Sequence, residues 1–227
     1  MENASPIPIH RFVIDFSVYY SVLPPAPERD RGITLVVLHG FGQRCDRFIA
    51  QFRPLAEAGI TVVAPQAPNA FYVKFETRTV GFTWLTRYER DQSIRDFVAY
   101  LDRLLDTLHV RENVPLQPLY VLGFSQGVSM AYRYAVYGQH AVAGIIACGA
   151  DLPPDVAERL PGARPFRVLL VHGRDDTVVP LAKCEEAERI LRRHRIPLDT
   201  FIFSGGHHIP PEVLPKILDW MQPSASQ

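Results

Sequence analysis

The chain of 227 residues has three cysteines, three lysines, and no apolar run approaching the roughly 20 residues needed to cross a bilayer. Cys45, Cys148 and Cys184 are too few and too scattered for a disulfide framework, and no C-x-x-C pair is available for zinc or redox work. Reduced thiols and a cytoplasmic location are the expectation. The first twenty residues lack a basic start followed by an apolar run and a small-residue cleavage site, so no secretory leader is expected. An excess of either charge is missing too, since 24 basic side chains balance 24 acidic ones. With no net positive field, nucleic acid and anionic membranes lose their first support as partners, and a small molecule takes their place. The 21 arginines that stand against the three lysines are scattered along the chain and mark no surface.

What is present is the composition of an ordinary globular domain, 47% hydrophobic and 21% charged. Strand-length apolar runs fall at residues 12–21, 34–38, 61–64, 119–122, 144–148, 168–171 and 200–203. Several are apolar throughout, as strands buried on both faces should be. Helical spacing fills the gaps, most clearly over residues 92–108, where Ile94, Phe97, Val98, Leu101, Leu104, Leu105 and Leu108 form one stripe. Further helices are expected over 45–58, 126–137, 182–195 and 211–220, with Gly59 and Gly138 as left-handed terminators of two of them. This alternation predicts a mostly parallel sheet with helices on both faces. No repeat, low-complexity tract or linker divides the chain, so residues 1–227 read as a single domain.

After the run PLYVL comes Gly123-Phe124-Ser125-Gln126-Gly127, followed by the helical VSMAYRYAVY. A G-x-S-x-G at a strand-to-helix junction forces its serine into a sharp turn that projects the hydroxyl into the open, as a nucleophile requires. The Gln126 N–H then lies among the unpaired donors of a helix start. A second donor, the Phe41 N–H, is expected from Leu38-His39-Gly40-Phe41-Gly42-Gln43, and the two together would form an oxyanion hole. A serine also needs a base, and the base an orienting acid. Asp175 and Asp176 in VLLVHGRDDTVVP are the candidate acids, and His207 and His208 in TFIFSGGHHIPPEVL the candidate bases. Both segments follow predicted strands, where open α/β sheets build their sites.

These segments, LHGFGQ, LGFSQG, VHGRDDTVVP and GGHHIPPEV, resemble the phospholipase/carboxylesterase family of α/β-hydrolases, which includes bacterial carboxylesterases and acyl-protein thioesterases. The likeness runs over nearly the whole chain from about residue 33. It implies the α/β-hydrolase fold, the chain order Ser, Asp, His, and catalytic roles for Ser125, Asp176 and His207, with no cofactor and no metal. The implied activity is hydrolysis of carboxylic esters through an acyl-enzyme, with acyl-protein thioesterase and lysophospholipase activities using the same machinery. The rate should rise with pH as the histidine loses its proton. The position of Phe41 is commonly Leu in the family, which bears on pocket shape. The resemblance is also compatible with a homodimer. It places the aromatic segment from Ala67 to Arg90 against the acyl site, so Phe71, Phe82 and Trp84 are candidate substrate contacts, with local packing as the alternative.

Other readings of these residues are weaker. An isolated Ser125 could be a plain helix N-cap, but the acid, the base and the HG loop accompany it. His39 and His172 lack the spacing of metal ligands and read as structural. Cys148 and Cys184 read as core thiols, and ERILRRHR as a solvated helix end rather than a nucleic-acid site. A silent binding module would usually have lost the nucleophile or base, and dienelactone hydrolases carry cysteine where Ser125 stands. Only about 20 residues separate Cys148 from Val168, too few for a separate lid domain, so an open cleft for short to medium acyl chains is expected.

Overall fold

The structure is a computed structural model that describes residue 7 and residues 9–222. Seven strands form one sheet in the order β1 (Tyr20–Leu23), β3 (Ile60–Pro65), β2 (Ile33–Leu38), β6 (Leu119–Phe124), β7 (Gly144–Cys148), β8 (Arg167–Gly173), β9 (Leu198–Phe203). Only β1 runs antiparallel to its neighbour. Side chains alternate across the sheet as strand geometry demands. Val36, Leu38, Val121, Ile145 and Ala147 meet α3 (Arg90–Glu112), α4 (Gln126–Tyr137), α5 (Pro154–Ala157) and α6 (Leu181–Arg193) on one face. Leu35, Val37, Leu122, Ile146 and Cys148 meet α1 (Cys45–Phe48), α2 (Arg53–Glu57) and α7 (Val213–Met221) on the other. Because both faces are covered, β2, β3, β6 and β7 are buried along their whole length.

The expected parallel sheet with helices on both faces is therefore present, with four local differences. The segment 45–58 is not one helix: a 3₁₀ stretch at Ile49–Phe52 separates α1 from α2, and Pro54 at the start of α2 supplies no N–H to continue the ladder. Gly59 is left-handed at φ 101°, whereas Gly138 is extended at φ −70° and closes α4 with an N–H bond to Tyr134. The segment that showed no period of its own contains an antiparallel hairpin, β4 (Asn69–Lys74) and β5 (Thr79–Thr83), largely exposed and so without the buried stripe that would reveal it. Finally, the strand expected at 12–21 is strand only from Tyr20. Its partner β3 ends at Pro65, opposite Tyr20, and residues 10–18 have no backbone partner among the described residues. The single-domain reading includes residues 1–6, 8 and 223–227, which lie outside the described residues.

β2 and β6 are adjacent, yet the chain leaves β2 for helices on one face and leaves β6 for α4 on the other. A crevice must open where the two connections diverge, beyond the strand C-termini. The two expected oxyanion donors lie on its two sides.

Candidate active site

Ser125 occupies φ 53° and ψ −119° between β6 and α4, a conformation sparsely populated for any side-chain-bearing residue. Packing holds it there. A Cβ on Gly123 would come within 2.4 Å of Val128 Cα, and one on Gly127 within 2.1 Å of the Leu38 carbonyl oxygen, so only glycine lets α4 start this close to β2. The Ser125 N–H still donates to the Cys148 carbonyl at 2.9 Å, which ties the turn to β7. Its hydroxyl is only half-buried and bonds to no described residue, His207 included.

His207 Nδ1 lies 2.7 Å from Asp176 Oδ2. The carboxyl is fully buried, which opposes ionisation, but hydrogen bonds from the Val179 N–H, His207 and the Val178 N–H outweigh that cost and hold its pKa below the usual value. An ionised carboxylate can only accept, so the His207 proton sits on Nδ1 and Nε2 is left with a free lone pair. His172, buried beneath, donates from Nε2 to the Val179 carbonyl at 2.8 Å and braces the acid's loop. The Phe124 ring packs against His207 with centroids 4.9 Å apart, which places the imidazole beside the residue that precedes Ser125. Asp175 and His208 are not in this pair, and the His208 ring packs against Phe203 instead.

On the other side of the crevice, Gly40 closely approaches Ser125: a Cβ there would lie 3.3 Å from Ser125 Cβ. The Phe41 and Gln126 N–H groups have no acceptor among the described residues. Both are therefore free to donate. The loop bearing Phe41 is held by Gln43, whose Oε1 accepts the Gly40 N–H at 2.7 Å, and by the Gly42 N–H, which donates to the Phe82 carbonyl of β5 at 2.8 Å. The Gln126 side chain reaches the same hairpin, accepting from the Trp84 N–H at 3.0 Å and donating to the Leu85 carbonyl at 2.9 Å.

Trp84, a candidate substrate contact, is 1% exposed, and its indole N–H donates to the His39 carbonyl at 2.8 Å, so it packs beneath the loop that bears Phe41. A large apolar ring with one donor fits that place, and its position in an aperiodic segment concealed the role. Phe71 and Phe82 are half-buried. Phe71 packs on the 59% exposed Phe41 with ring centroids 4.8 Å apart, an apolar wall beside the oxyanion donors.

Three supports stand behind the site: His39 has the structural place expected of it, and the other two went unrecognised in the sequence. His39 is fully buried, its Nδ1 bonds to the Gly40 carbonyl at 2.8 Å, and its Nε2 accepts from the Gln66 side chain at 2.7 Å and the Ala67 N–H at 3.1 Å. Desolvation drops its pKa to about 4, so it is neutral at pH 7. Gln66 gave no signal because nothing links it to residue 39 along the chain. Gly149 is the third, since a Cβ there would press within 3.3 Å of the His207 ring. Among the described residues no three His, Cys, Asp or Glu groups could hold a metal ion, and no helix is long and apolar enough to cross a membrane. Two surface cavities, about 330 and 270 Å³, are lined by other residues.

A mostly parallel sheet clothed by helices, with a strained serine at its switch point and an acid–histidine pair on two later strand ends, defines an α/β-hydrolase. The chain matches the Phospholipase/Carboxylesterase family across residues 25–224, and it belongs to that family of esterase- and thioesterase-type hydrolases. Among solved structures, esterase PE8 is similar at 25% identity and a TM-score of 0.73, covering 91% of this chain and 98% of that one. The acyl-protein thioesterase 2 of Zea mays (20% identity, TM-score 0.65, 89% and 97% covered) shares the fold. So does the Bacillus cereus carboxylesterase (14% identity, TM-score 0.69, 89% and 92% covered). No functionally curated protein matches the chain.

Proposed function

We propose that the protein hydrolyses carboxylic esters of short to medium acyl chains through an acyl-enzyme on Ser125. The observation that carries this reading is the Asp176–His207 pair at 2.7 Å beside a serine held at φ 53°. In the reacting complex the Ser125 hydroxyl comes within hydrogen-bond reach of His207 Nε2, a contact that tightens when substrate binds. His207 then takes the proton as the serine oxygen attacks the acyl carbonyl. The buried Asp176 carboxylate stabilises the imidazolium that forms, and the Phe41 and Gln126 N–H groups bind the oxyanion. The imidazolium passes its proton to the departing alcohol. Water, activated by the same imidazole, repeats the attack and frees the acid.

The Phe41–Phe71 wall, with Phe41 59% exposed, favours soluble, modestly apolar acyl groups that rest on it. Three buried, free cysteines accord with a reducing, cytoplasmic setting. The test is a panel of nitrophenyl esters and acyl thioesters from short to long chains, run on the wild type and Ser125→Ala. Turnover should fall on the order of 10⁴- to 10⁶-fold in the variant. Wild-type turnover by the alanine variant would end the proposal, and thioesters outpacing oxygen esters of equal length would move it to a thioesterase.

A further inference from the structure

The segment before β1 has the sequence of a strand and no strand to pair with. Its even positions, Phe12, Ile14, Phe16 and Val18, are all apolar and continue into Tyr20 and Val22 of β1, while the odd face carries Arg11, Asp15, Ser17 and Ser21 beside Val13 and Tyr19. β3 cannot serve them, because it ends opposite Tyr20, and the last tie is the Gln66 N–H donating to the Tyr19 carbonyl at 2.8 Å. Phe12 is left 84% exposed and Phe16 66%, with Ile9, Val13 and Ile14 similarly bare. An exposed apolar stretch at a sheet edge is a template for pairing with another chain. Two such arms together expose on the order of 1,000 Å² of apolar side chain, of which pairing covers a part.

We infer that the partner is a second copy of this chain, and that residues 9–17 of two copies pair antiparallel across a two-fold axis at Val13. Directly opposed residues in an antiparallel ladder share a face, so a register must keep even positions opposite even ones to join the apolar stripes. Pairing about Val13 does so, setting Phe12 opposite the partner's Ile14 and His10 opposite the partner's Phe16. It also sets Arg11 opposite the partner's Asp15, twice by symmetry, so both formal charges of the arm are matched. Pairing about Asp15 would oppose two carboxylates, and pairing about Phe12 or Ile14 would leave every charge unmatched. An isolated two-stranded ribbon is marginal, which makes this a weak, reversible dimer.

Sedimentation velocity on the full-length protein, from micromolar to hundreds of micromolar, tests both the dimer and its register. Arg11→Asp and Asp15→Arg each put like charges across from one another, and each should weaken the dimer about tenfold. The double reversal restores opposite charges and should recover wild-type association. Both positions of change lie on an exposed arm, so circular dichroism should be unaltered. A monomer at every concentration, or a dimer indifferent to the single reversals, overturns the inference. Binding of the arm to phosphatidylcholine–phosphatidylglycerol vesicles in place of self-association overturns it as well. Esterase activity is read separately, since the arm carries none of the residues proposed for catalysis.

Discussion

Acidification should destabilise the protein through His39 well before its carboxylates respond. The imidazole is fully buried and its Nε2 accepts two hydrogen bonds, so a proton there would remove both and bury a charge. Its pKa falls from 6.5 to about 4 on folding, which means that the unfolded chain binds the proton and the folded one does not. Stability is therefore complete above pH 6.5 and declines as pH falls, with the loss levelling off below about 4. At 1.36 kcal/mol per pKa unit, the depression amounts to about 3 kcal/mol in full and about 2 kcal/mol at pH 5. Asp176, Asp155 and Asp46 have lowered carboxylate pKa values and lose their contributions only at still lower pH, so the windows separate. Urea unfolding followed by circular dichroism at pH 8, 7, 6 and 5 reads the slope directly. His39→Asn should start about 1–3 kcal/mol less stable at pH 8, because the Gln66 and Ala67 donors lose their acceptor. It should then converge on the wild type as pH falls. A wild type equally stable at pH 8 and 5, or a variant that falls in parallel with it, would refute the reasoning.

Asp176→Asn keeps an acceptor for the Val178 and Val179 N–H groups but no longer holds the His207 tautomer, so kcat should drop on the order of 10³- to 10⁴-fold with a nearly unchanged circular dichroism spectrum. Gly127→Ala drives a Cβ to 2.1 Å from the Leu38 oxygen and should cost 1–3 kcal/mol or about that, read as a lowered Tm together with lost turnover. Phe71→Ala should raise KM for hexanoyl esters more than for acetyl esters while leaving Tm nearly in place, because that ring faces the open wall. Trp84→Phe should do the reverse, lowering stability by about 1 kcal/mol through the lost bond to His39 without selecting among chain lengths.

The local places of Ser125, Asp176 and His207 were legible because each sits inside a local pattern with its own mechanical reason: a serine between two glycines at a strand end, an acid in a turn after β8, a histidine in the loop after β9. The sheet was legible for a related reason, since strands covered on both faces are written as unbroken apolar runs. Trp84, Gln66 and Gly149 were not legible, because their work depends on neighbours 45, 27 and 58 positions away along the chain, brought close only by the sheet's order. The exposed hairpin was hidden because a strand with solvent on most sides needs no apolar period. What the residues alone determined was which groups could do chemistry and in which local turn each would stand. Only the fold decided that β2 and β6 lie side by side with their connections leaving for opposite faces, and a crevice between diverging connections is a property of strand order that no single segment encodes.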